Sequence, residues 1–213
     1  MSPRKARSNP LALAVLTSVF ERPMHPYEVA QTLRSRAKHE SVRLNYGSLY
    51  GVVEDLEKRG LIRARETLRA GRRPERTVYE ITDAGLREMT EWLSELVAVP
   101  VKEYLQFEAA LSLLPALPPD EALDGLRQRV HALEVELTVL DGGITAVGSL
   151  GLPRLFALET EYVQALRRAE LDYVQGLAKD IESGELSGLD EWRGWYAPGG
   201  ERSDVETDDP DQT

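Results

Sequence analysis

The hydrophobic positions in the first sixty residues recur with the spacing of amphipathic helices. They predict helices over residues 10–20, 26–37 and 46–59. Each predicted helix follows a residue suited to accept a hydrogen bond from the first helical turn, namely Asn9, His25 and Asn45. Proline occupies the first helical position of the first two, where a missing N–H costs nothing. The chain is therefore predicted to begin with three short helices.

The spacing then changes to the period of two that strands favour. Residues 61–68 alternate loosely, residues 77–81 alternate cleanly, and the turn-forming segment 70–75 lies between them. This pattern predicts a β-hairpin, followed by a fourth helix over residues 83–98 that Thr82 caps. Three helices, a hairpin and a closing helix are the element order of a winged helix-turn-helix domain. In that fold the third helix enters the major groove of DNA, and the hairpin, or wing, flanks it.

The rest of the chain has the pattern of an all-helical domain, so the predicted fold class is mainly α. A helix is predicted over residues 101–114, and a proline-rich break at 115–119 follows it. Apolar residues then recur three and four positions apart over residues 123–147. Gly142-Gly143 lies inside this stripe, where the helix could kink, end or continue. Another long helix is predicted over residues 155–183.

These two long helices carry more apolar surface than a winged helix of about ninety residues can cover. We therefore expect them to pair with a second copy of the chain. The side chains expected at this dimer contact lie on the two apolar stripes and are Leu126, Val130, Leu133, Leu137, Leu140, Tyr162, Leu166 and Tyr173.

Composition excludes several classes of protein. The 213 residues include no cysteine, which excludes disulfides, thiolate zinc sites and cysteine catalysis. The three histidines are too scattered to predict a metal site, and the sequence contains no nucleophile–base pair and no phosphate loop. We expect neither an enzyme nor a bound cofactor. The apolar run Leu11–Val19 is too short to span a membrane, so we expect a cytoplasmic protein without a membrane partner.

Charge is distributed unevenly along the chain. Residues 1–93 hold 17 lysines and arginines against 12 acidic residues, whereas residues 94–213 hold nine against 24. The window Lys58–Arg76, which includes the predicted wing, contains eight basic and two acidic residues. This asymmetry favours a basic module that faces a polyanion, although solvated charged faces alone would also account for it.

Three segments between Leu11 and Leu93 have a recognisable pattern. They are the spaced residues Pro23, His25, Tyr27 and Glu28, the segment Asn45–Tyr50 followed by Leu56–Ile62, and the segment Tyr79–Gly85. These segments resemble the PadR family of bacterial transcription regulators. Pro26 departs from the family pattern, which usually has glycine there, but proline suits a first helical position. The resemblance implies a homodimeric DNA-binding repressor whose helical domain dimerises and often senses a small molecule.

The DNA-contacting residues are expected on the third helix and at the wing. Tyr46 and Ser48 lie in the first turn of that helix, and the resemblance places them at DNA. Tyr50 suits core packing and phosphate contact equally well. Three arginines lie at or beside the wing tip, where such side chains pair with phosphates or enter the minor groove, and they are Arg72, Arg73 and Arg76.

The resemblance also makes an effector pocket between the two predicted domains plausible. Trp92 on the fourth helix and Tyr104 with Phe107 on the fifth are the aromatic residues that could line it. Packing of the connection between the domains is the use that we favour for these three side chains.

The chain is thus predicted to have four segments, which are a flexible basic arm at 1–8, a winged-helix domain at 9–98, a helical dimerisation and effector domain at 101–197 and a disordered acidic tail at 198–213. The favoured function is sequence-specific transcriptional regulation by a homodimeric repressor. Its partners would be an inverted-repeat DNA operator and a small-molecule effector that relieves repression. The alternative is a winged-helix protein-interaction module without DNA binding, which an acidic or apolar wing would have favoured.

Overall fold

The computed structural model describes residues 9–38, 41–68 and 76–197, and the chain divides into two compact units, residues 1–103 and 104–213. The elements are mostly helices, with one two-stranded antiparallel sheet in the first unit. The predicted fold class is therefore confirmed. Within the described ranges, no helix combines the length and the apolar character that a membrane crossing needs.

The first unit has the predicted order of three helices, a hairpin and a closing helix. The elements are α1 (Pro10–Glu21), α2 (Pro26–Ser35), α3 (Tyr46–Lys58), β1 (Ile62–Leu68), β2 (Arg76–Ile81) and α4 (Asp83–Ala98). All three predicted N-caps form, because the side chains of Asn9, His25 and Asn45 each accept a backbone N–H of the following turn. Helix α2 ends two residues before the predicted position, and Ala37 just beyond it has a left-handed backbone with φ of 54°.

The hairpin is fastened to the helices at its base. Ile62 of β1 lies opposite Ile81 of β2, and the register shifts between Ala64 and Glu66. Met24, in the loop before α2, exchanges both backbone hydrogen bonds with Tyr79 of β2 at 3.0 Å. This bridge fixes the position of the strands relative to the start of α2.

A single apolar core holds the first unit together. Leu16, Leu49, Leu56 and Ile62 are almost completely buried in it, and they come from α1, α3 and β1. Truncation of such a leucine to alanine costs about 2–5 kcal/mol in the free energy of unfolding. Helix α3 is therefore anchored through its apolar face, which leaves the opposite face to solvent.

The junction between the hairpin and α4 is a tight contact. The Thr82 hydroxyl donates to the Gly60 carbonyl at 2.7 Å and accepts the N–H of Gly85 at 3.0 Å. A Cβ at Gly85 would lie 1.9 Å from the carbonyl oxygen of Leu61. Glycine at position 85 is thus required by the close approach of α4 to the backbone of Leu61, directly before β1.

The second unit is built on two long helices. Its elements are α5 (Gln106–Ser112), a 3₁₀ turn at Leu114–Ala116, α6 (Pro119–Ser149), a 3₁₀ turn at Arg154–Phe156, α7 (Leu158–Ser183) and α8 (Leu189–Trp195). Helix α6 continues through Gly142-Gly143, since α7 packs along it and compensates the weak helix propensity of glycine.

The predicted helix over residues 101–114 is wrong in its first part. Residues 101–105 are irregular, and α5 begins only at Gln106. Two physical reasons account for the late start. No side chain caps the helix at Leu105, and the side chains of residues 101–105 are exposed, so a helix there would bury little apolar surface.

The stripe on α6 is covered within the chain. We expected its leucines to need a second copy, but Leu126, Leu133 and Leu137 are buried in a single chain because α7 folds back along α6. Ion pairs join the two helices on the borders of this contact, with Arg129 Nε 2.7 Å from Glu170 and Arg167 Nε 2.9 Å from Glu136. The two helices thus form an antiparallel hairpin with its own core.

Candidate nucleic-acid interface

The first turn of α3 is the exposed feature of the first unit that best fits DNA recognition. The Asn45 side chain accepts the N–H of Gly47 at 2.9 Å and so fixes where the helix begins. Gly47 and Ser48 are exposed, whereas the next residue, Leu49, is completely buried. Burial of Leu49 therefore turns the first turn outward, where a serine hydroxyl and backbone N–H groups can reach a base edge or a phosphate.

Tyr46 is held in place by two residues of α2. Its ring stacks on the ring of Tyr27, with centroids 6.3 Å apart and planes 15° from parallel. The Arg34 guanidinium lies 4.5 Å from the centroid of the Tyr46 ring and donates a hydrogen bond to its hydroxyl. Tyr46 is half-buried as a result, and its orientation depends on α2 as well as on its own helix.

Tyr50 lies one turn further along α3 and packs against the start of α2. Its ring is edge-on to His25, with centroids 6.5 Å apart and planes 70° apart. His25 is itself the cap of α2, where Nδ1 accepts the N–H of Tyr27 and Glu28 accepts the N–H of His25. Tyr50 remains 45% exposed, so packing does not use its whole surface.

Several basic residues near α3 and the hairpin are engaged by carboxylates. Arg63 Nε lies 2.7 Å from Glu80, and Arg65 Nε lies 3.8 Å from the same carboxylate. Arg59 pairs with Asp55 at 3.4 Å and with Glu88 at 3.6 Å. These contacts give the basic residues of the hairpin base a structural role, which lowers their availability for phosphate.

The pKa values of Glu21 and Tyr79, both in the first unit, are shifted. The Arg36 guanidinium hydrogen-bonds Glu21 and holds the pKa of that carboxyl below its ordinary value, although partial burial opposes the shift. Burial raises the pKa of the Tyr79 hydroxyl, and the carboxylate of Glu57 adds to the effect. Both groups keep their usual charge at neutral pH, so neither alters the charge of the exposed first turn.

The wing tip lies outside the described residues. Arg72 and Arg73, both predicted DNA contacts, fall in the segment 69–75, and the structure describes only the backbone of Arg76, which begins β2 opposite Leu68. Of the predicted DNA contacts, the structure therefore brings Tyr46, Ser48 and Tyr50 together on one helix.

Comparison with known proteins bears on the first unit. Residues 15–91 match the family model for the transcriptional regulator PadR-like family. The match covers 77 of the chain's 213 residues, so this segment is similar to that family. The PadR-like segment contains α2, α3, the hairpin and most of α1 and α4. No curated protein matches the chain closely enough to count as a relative.

Solved structures share the fold over most of the chain. Bacillus subtilis PadR in complex with operator DNA matches with a TM-score of 0.67 and 17% identity, covering 81% of this chain and 99% of that one. The same protein in complex with p-coumaric acid matches with a TM-score of 0.67 and 16% identity, covering 81% and 98%. The Vibrio cholerae virulence activator AphA has a TM-score of 0.62 and 17% identity, covering 81% and 98%. The chain thus has a PadR-like transcriptional regulator fold, and the PadR-like proteins it resembles are regulators rather than enzymes.

The three residues predicted to line an effector pocket lie beyond the PadR-like segment, and their surroundings differ from one another. Trp92 is buried in the core of the first unit. Phe107 packs against the core of the second unit, and the Arg129 guanidinium lies 3.7 Å from the centroid of its ring. Tyr104 is 88% exposed. Trp92 and Phe107 thus each pack within their own unit.

The residues predicted at a dimer contact separate into two groups. The predicted contacts on α6 are buried in the chain, except for Val130 and Leu140, which are half-buried. On α7 the predicted contacts are exposed, at 66% for Tyr162, 51% for Leu166 and 56% for Tyr173. With Ala169, they recur at the spacing of one helical face and form what we call the α7 stripe.

Sequence reasoning missed Arg34 and Tyr27 as partners of the α3 first turn. A signal for them was present, because Tyr27, Gln31 and Arg34 recur at the spacing of one face of α2 and carry polar groups. The contact between that face and Tyr46 depends on how α2 and α3 pack, which a sequence pattern does not give.

Proposed function

We propose that this chain is a sequence-specific DNA-binding transcriptional regulator that acts as a homodimeric repressor and is relieved by a small-molecule effector. The observation that carries the proposal is the exposed first turn of α3, where Ser48 faces solvent and Tyr46 is fixed by Arg34. A helix anchored by one buried face and exposed at its N-terminal turn is what insertion into the major groove requires.

Charge supports the same function. Residues 1–93 carry 17 basic residues against 12 acidic ones, although the whole chain has a net charge of −10. Basic residues that neutralise phosphates release condensed cations from DNA, so affinity falls as salt rises. The first unit is the part of the chain that would face the duplex.

Dimerisation is supported by the α7 stripe. Three large side chains on one helix face, Tyr162, Leu166 and Tyr173, are each more than half exposed in a single chain. A second copy that covers this face would place two α3 helices on one duplex. The operator would then be an inverted repeat with half-sites about one helical turn apart.

The effector is supported by the family resemblance. Bacillus subtilis PadR has been solved with operator DNA and with p-coumaric acid. A small molecule that alters the spacing of two paired α3 helices would reduce affinity for a two-part operator, because both half-sites must be engaged together.

A gel-shift experiment with DNA from the region upstream of the protein's own gene tests the proposal. We expect a complex that survives an excess of random duplex of equal length and weakens steeply as salt rises. A footprint with dyad symmetry supports the homodimer. Equal binding to both duplexes, or no binding to either, would contradict sequence-specific recognition.

A further inference from the structure

The second unit contains a cavity among its helices. Its volume is about 410 Å³, within the range of small-molecule sites. It lies among α5, α7, α8 and the turn that precedes α8, and its walls include Leu111, Tyr173, Leu177, Trp192 and Trp195. All of these residues belong to the second unit, so the cavity is complete without the winged helix.

One aromatic wall of the cavity, Trp192, is held by a hydrogen bond at its polar edge, and Tyr196 beside α8 makes a similar bond. The indole N–H of Trp192 donates to the Leu117 carbonyl at 2.9 Å, and the Tyr196 hydroxyl donates to the Pro115 carbonyl at 3.0 Å. These bonds attach α8 to the turn that precedes α6. Because the polar edge of Trp192 is already used, this side chain offers a guest its ring rather than a hydrogen-bond donor.

Among the described cavity-lining residues, Glu191 is the one with a charged side chain. Glu191 on α8 lines it and is exposed to solvent, while Ser187 adds a hydroxyl. Among the described residues that line the cavity, none is lysine or arginine. The surrounding sequence is acidic as well, since residues 94–213 hold 24 acidic residues and nine basic ones.

We propose that this cavity is a binding site for an organic ammonium cation with an apolar body. Aromatic ring faces attract cations, and a carboxylate beside them adds a charge partner, whereas an organic anion would meet Glu191 without a basic residue to compensate it. The identification of the bound cation with the effector rests on the proposed function. The effector would then bind in the second unit, away from Trp92.

The position of Tyr173 connects the cavity to the proposed dimer contact. Tyr173 lines the cavity and also belongs to the α7 stripe, where it is 56% exposed. A guest that packs on this ring competes with the partner copy for one side chain or changes its rotamer. Occupation of the cavity is thereby coupled to the contact that sets the spacing of the two α3 helices.

Calorimetric titration of the full chain at low salt tests the proposal. The probes are benzyltrimethylammonium, the anion p-coumarate and neutral benzyl alcohol. We expect the cation to bind at least about tenfold more tightly than the anion, which corresponds to one ordinary charge contact plus a cation–π contact. Replacement of Glu191→Gln should weaken binding of the cation about fivefold and leave benzyl alcohol unchanged.

The matched control is Glu134→Gln, which removes an exposed carboxylate from α6 away from the cavity. This variant should bind the cation as the unmodified chain does. Trp195→Leu keeps an apolar side chain at a half-buried position and should abolish the preference for the cation while the helical circular dichroism stays unchanged.

Three results would overturn the proposal. They are equal or tighter binding of p-coumarate, equal effects of the two glutamate variants, and no binding of the cation at millimolar concentration. None of them bears on DNA binding, which the gel shift measures in the absence of any probe. Failure of the cation site and failure of the DNA-binding function are therefore distinguishable.

Discussion

Arg34 of α2 lies with its guanidinium carbon 4.5 Å from the ring centroid of Tyr46 on α3 and donates a hydrogen bond to the Tyr46 hydroxyl. One side chain thus contacts both the face and the polar tip of another. Since Tyr46 is the first residue of α3, this contact fixes the side chain that stands closest to the start of the proposed recognition helix. The contact makes Arg34 a positioning residue in our account.

Replacement of Arg34→Leu should weaken specific DNA binding by about five- to tenfold, since Tyr46 loses a cation–π contact and a hydrogen bond and is free to reorient. The measurement is fluorescence anisotropy with operator and random duplexes over a range of salt. A positioning role leaves the slope of log affinity against log salt unchanged.

The control for this variant is Arg87→Ala, which removes an exposed arginine from α4. It should leave the ratio of specific to random binding as it is. If Arg34→Leu instead reduces the salt slope by about one and weakens both duplexes equally, Arg34 contacts a phosphate itself and the positioning role is wrong.

Gly85→Ala should destabilise the first unit by about 2–3 kcal/mol in urea unfolding, because its Cβ would lie 1.9 Å from the Leu61 carbonyl oxygen and α4 must shift. Gly51→Ala is the matched control. Gly51 is exposed within α3 and a Cβ there meets nothing within 4 Å, so alanine should stabilise the helix by up to about 1 kcal/mol. Similar stabilities for the two variants would disprove the close contact at Gly85.

Leu166→Asp should convert the proposed dimer into a folded monomer. Leu166 is 51% exposed in a single chain, so aspartate there harms only a partner contact. Leu133→Asp should instead unfold the second unit, since Leu133 is only 4% exposed within the chain. Light scattering and circular dichroism of both variants check the distinction. A Leu166→Asp chain that stays dimeric at micromolar concentration rules out the α7 stripe as the contact.

Acid should weaken the first unit through Glu21. Its pKa is lowered in the folded chain by the hydrogen bond from Arg36, so the stabilisation is present above the ordinary carboxyl pKa of 4.5 and is lost as pH falls through the lowered folded value. Both side chains are about half exposed, at 45% and 51%, so the effect is at most about 1 kcal/mol. Urea unfolding of Glu21→Gln from pH 6 to 3 should show a flatter stability profile than the unmodified chain, and parallel profiles would contradict the assignment.

The sequence predicted the first unit well because its signals are local. Caps at Asn9, His25 and Asn45 and the change from helical to alternating spacing near residue 61 depend only on neighbours in the chain. The start of α5 was less predictable, because the exposure of residues 101–105 depends on the fold of the whole unit and not on neighbours in the chain.

In the second unit, the stripe of apolar residues did not determine which helix covers it. The spacing of Leu126, Leu133 and Leu137 requires an opposing helix but does not say whether that helix belongs to the same chain. Here α7 supplies it, and the surface left for a partner comes from residues such as Tyr162 and Leu166. The sequence pattern could not predict the contact of Arg34 with Tyr46 either, since this contact depends on the packing of two helices.

The two proposed DNA-contacting elements should differ in what they recognise. Arg72→Ala with Arg73→Ala should weaken operator and random DNA nearly alike and flatten the salt slope, because wing arginines contact phosphate or minor groove. Substitution of Tyr46 or Ser48 should cost the operator more than random DNA, by about 1–3 kcal/mol for each lost base contact.

The central claim is tested most directly by the ratio of operator affinity to random-duplex affinity. This ratio is measured for the double variant Tyr46→Ala with Ser48→Ala and compared with the same ratio for the double wing variant. Our account predicts a ratio that falls at least about tenfold for the helix variant and stays within about threefold for the wing variant. If both variants lose operator and random DNA in the same proportion, the first turn of α3 does not read the sequence and the assignment of roles is wrong.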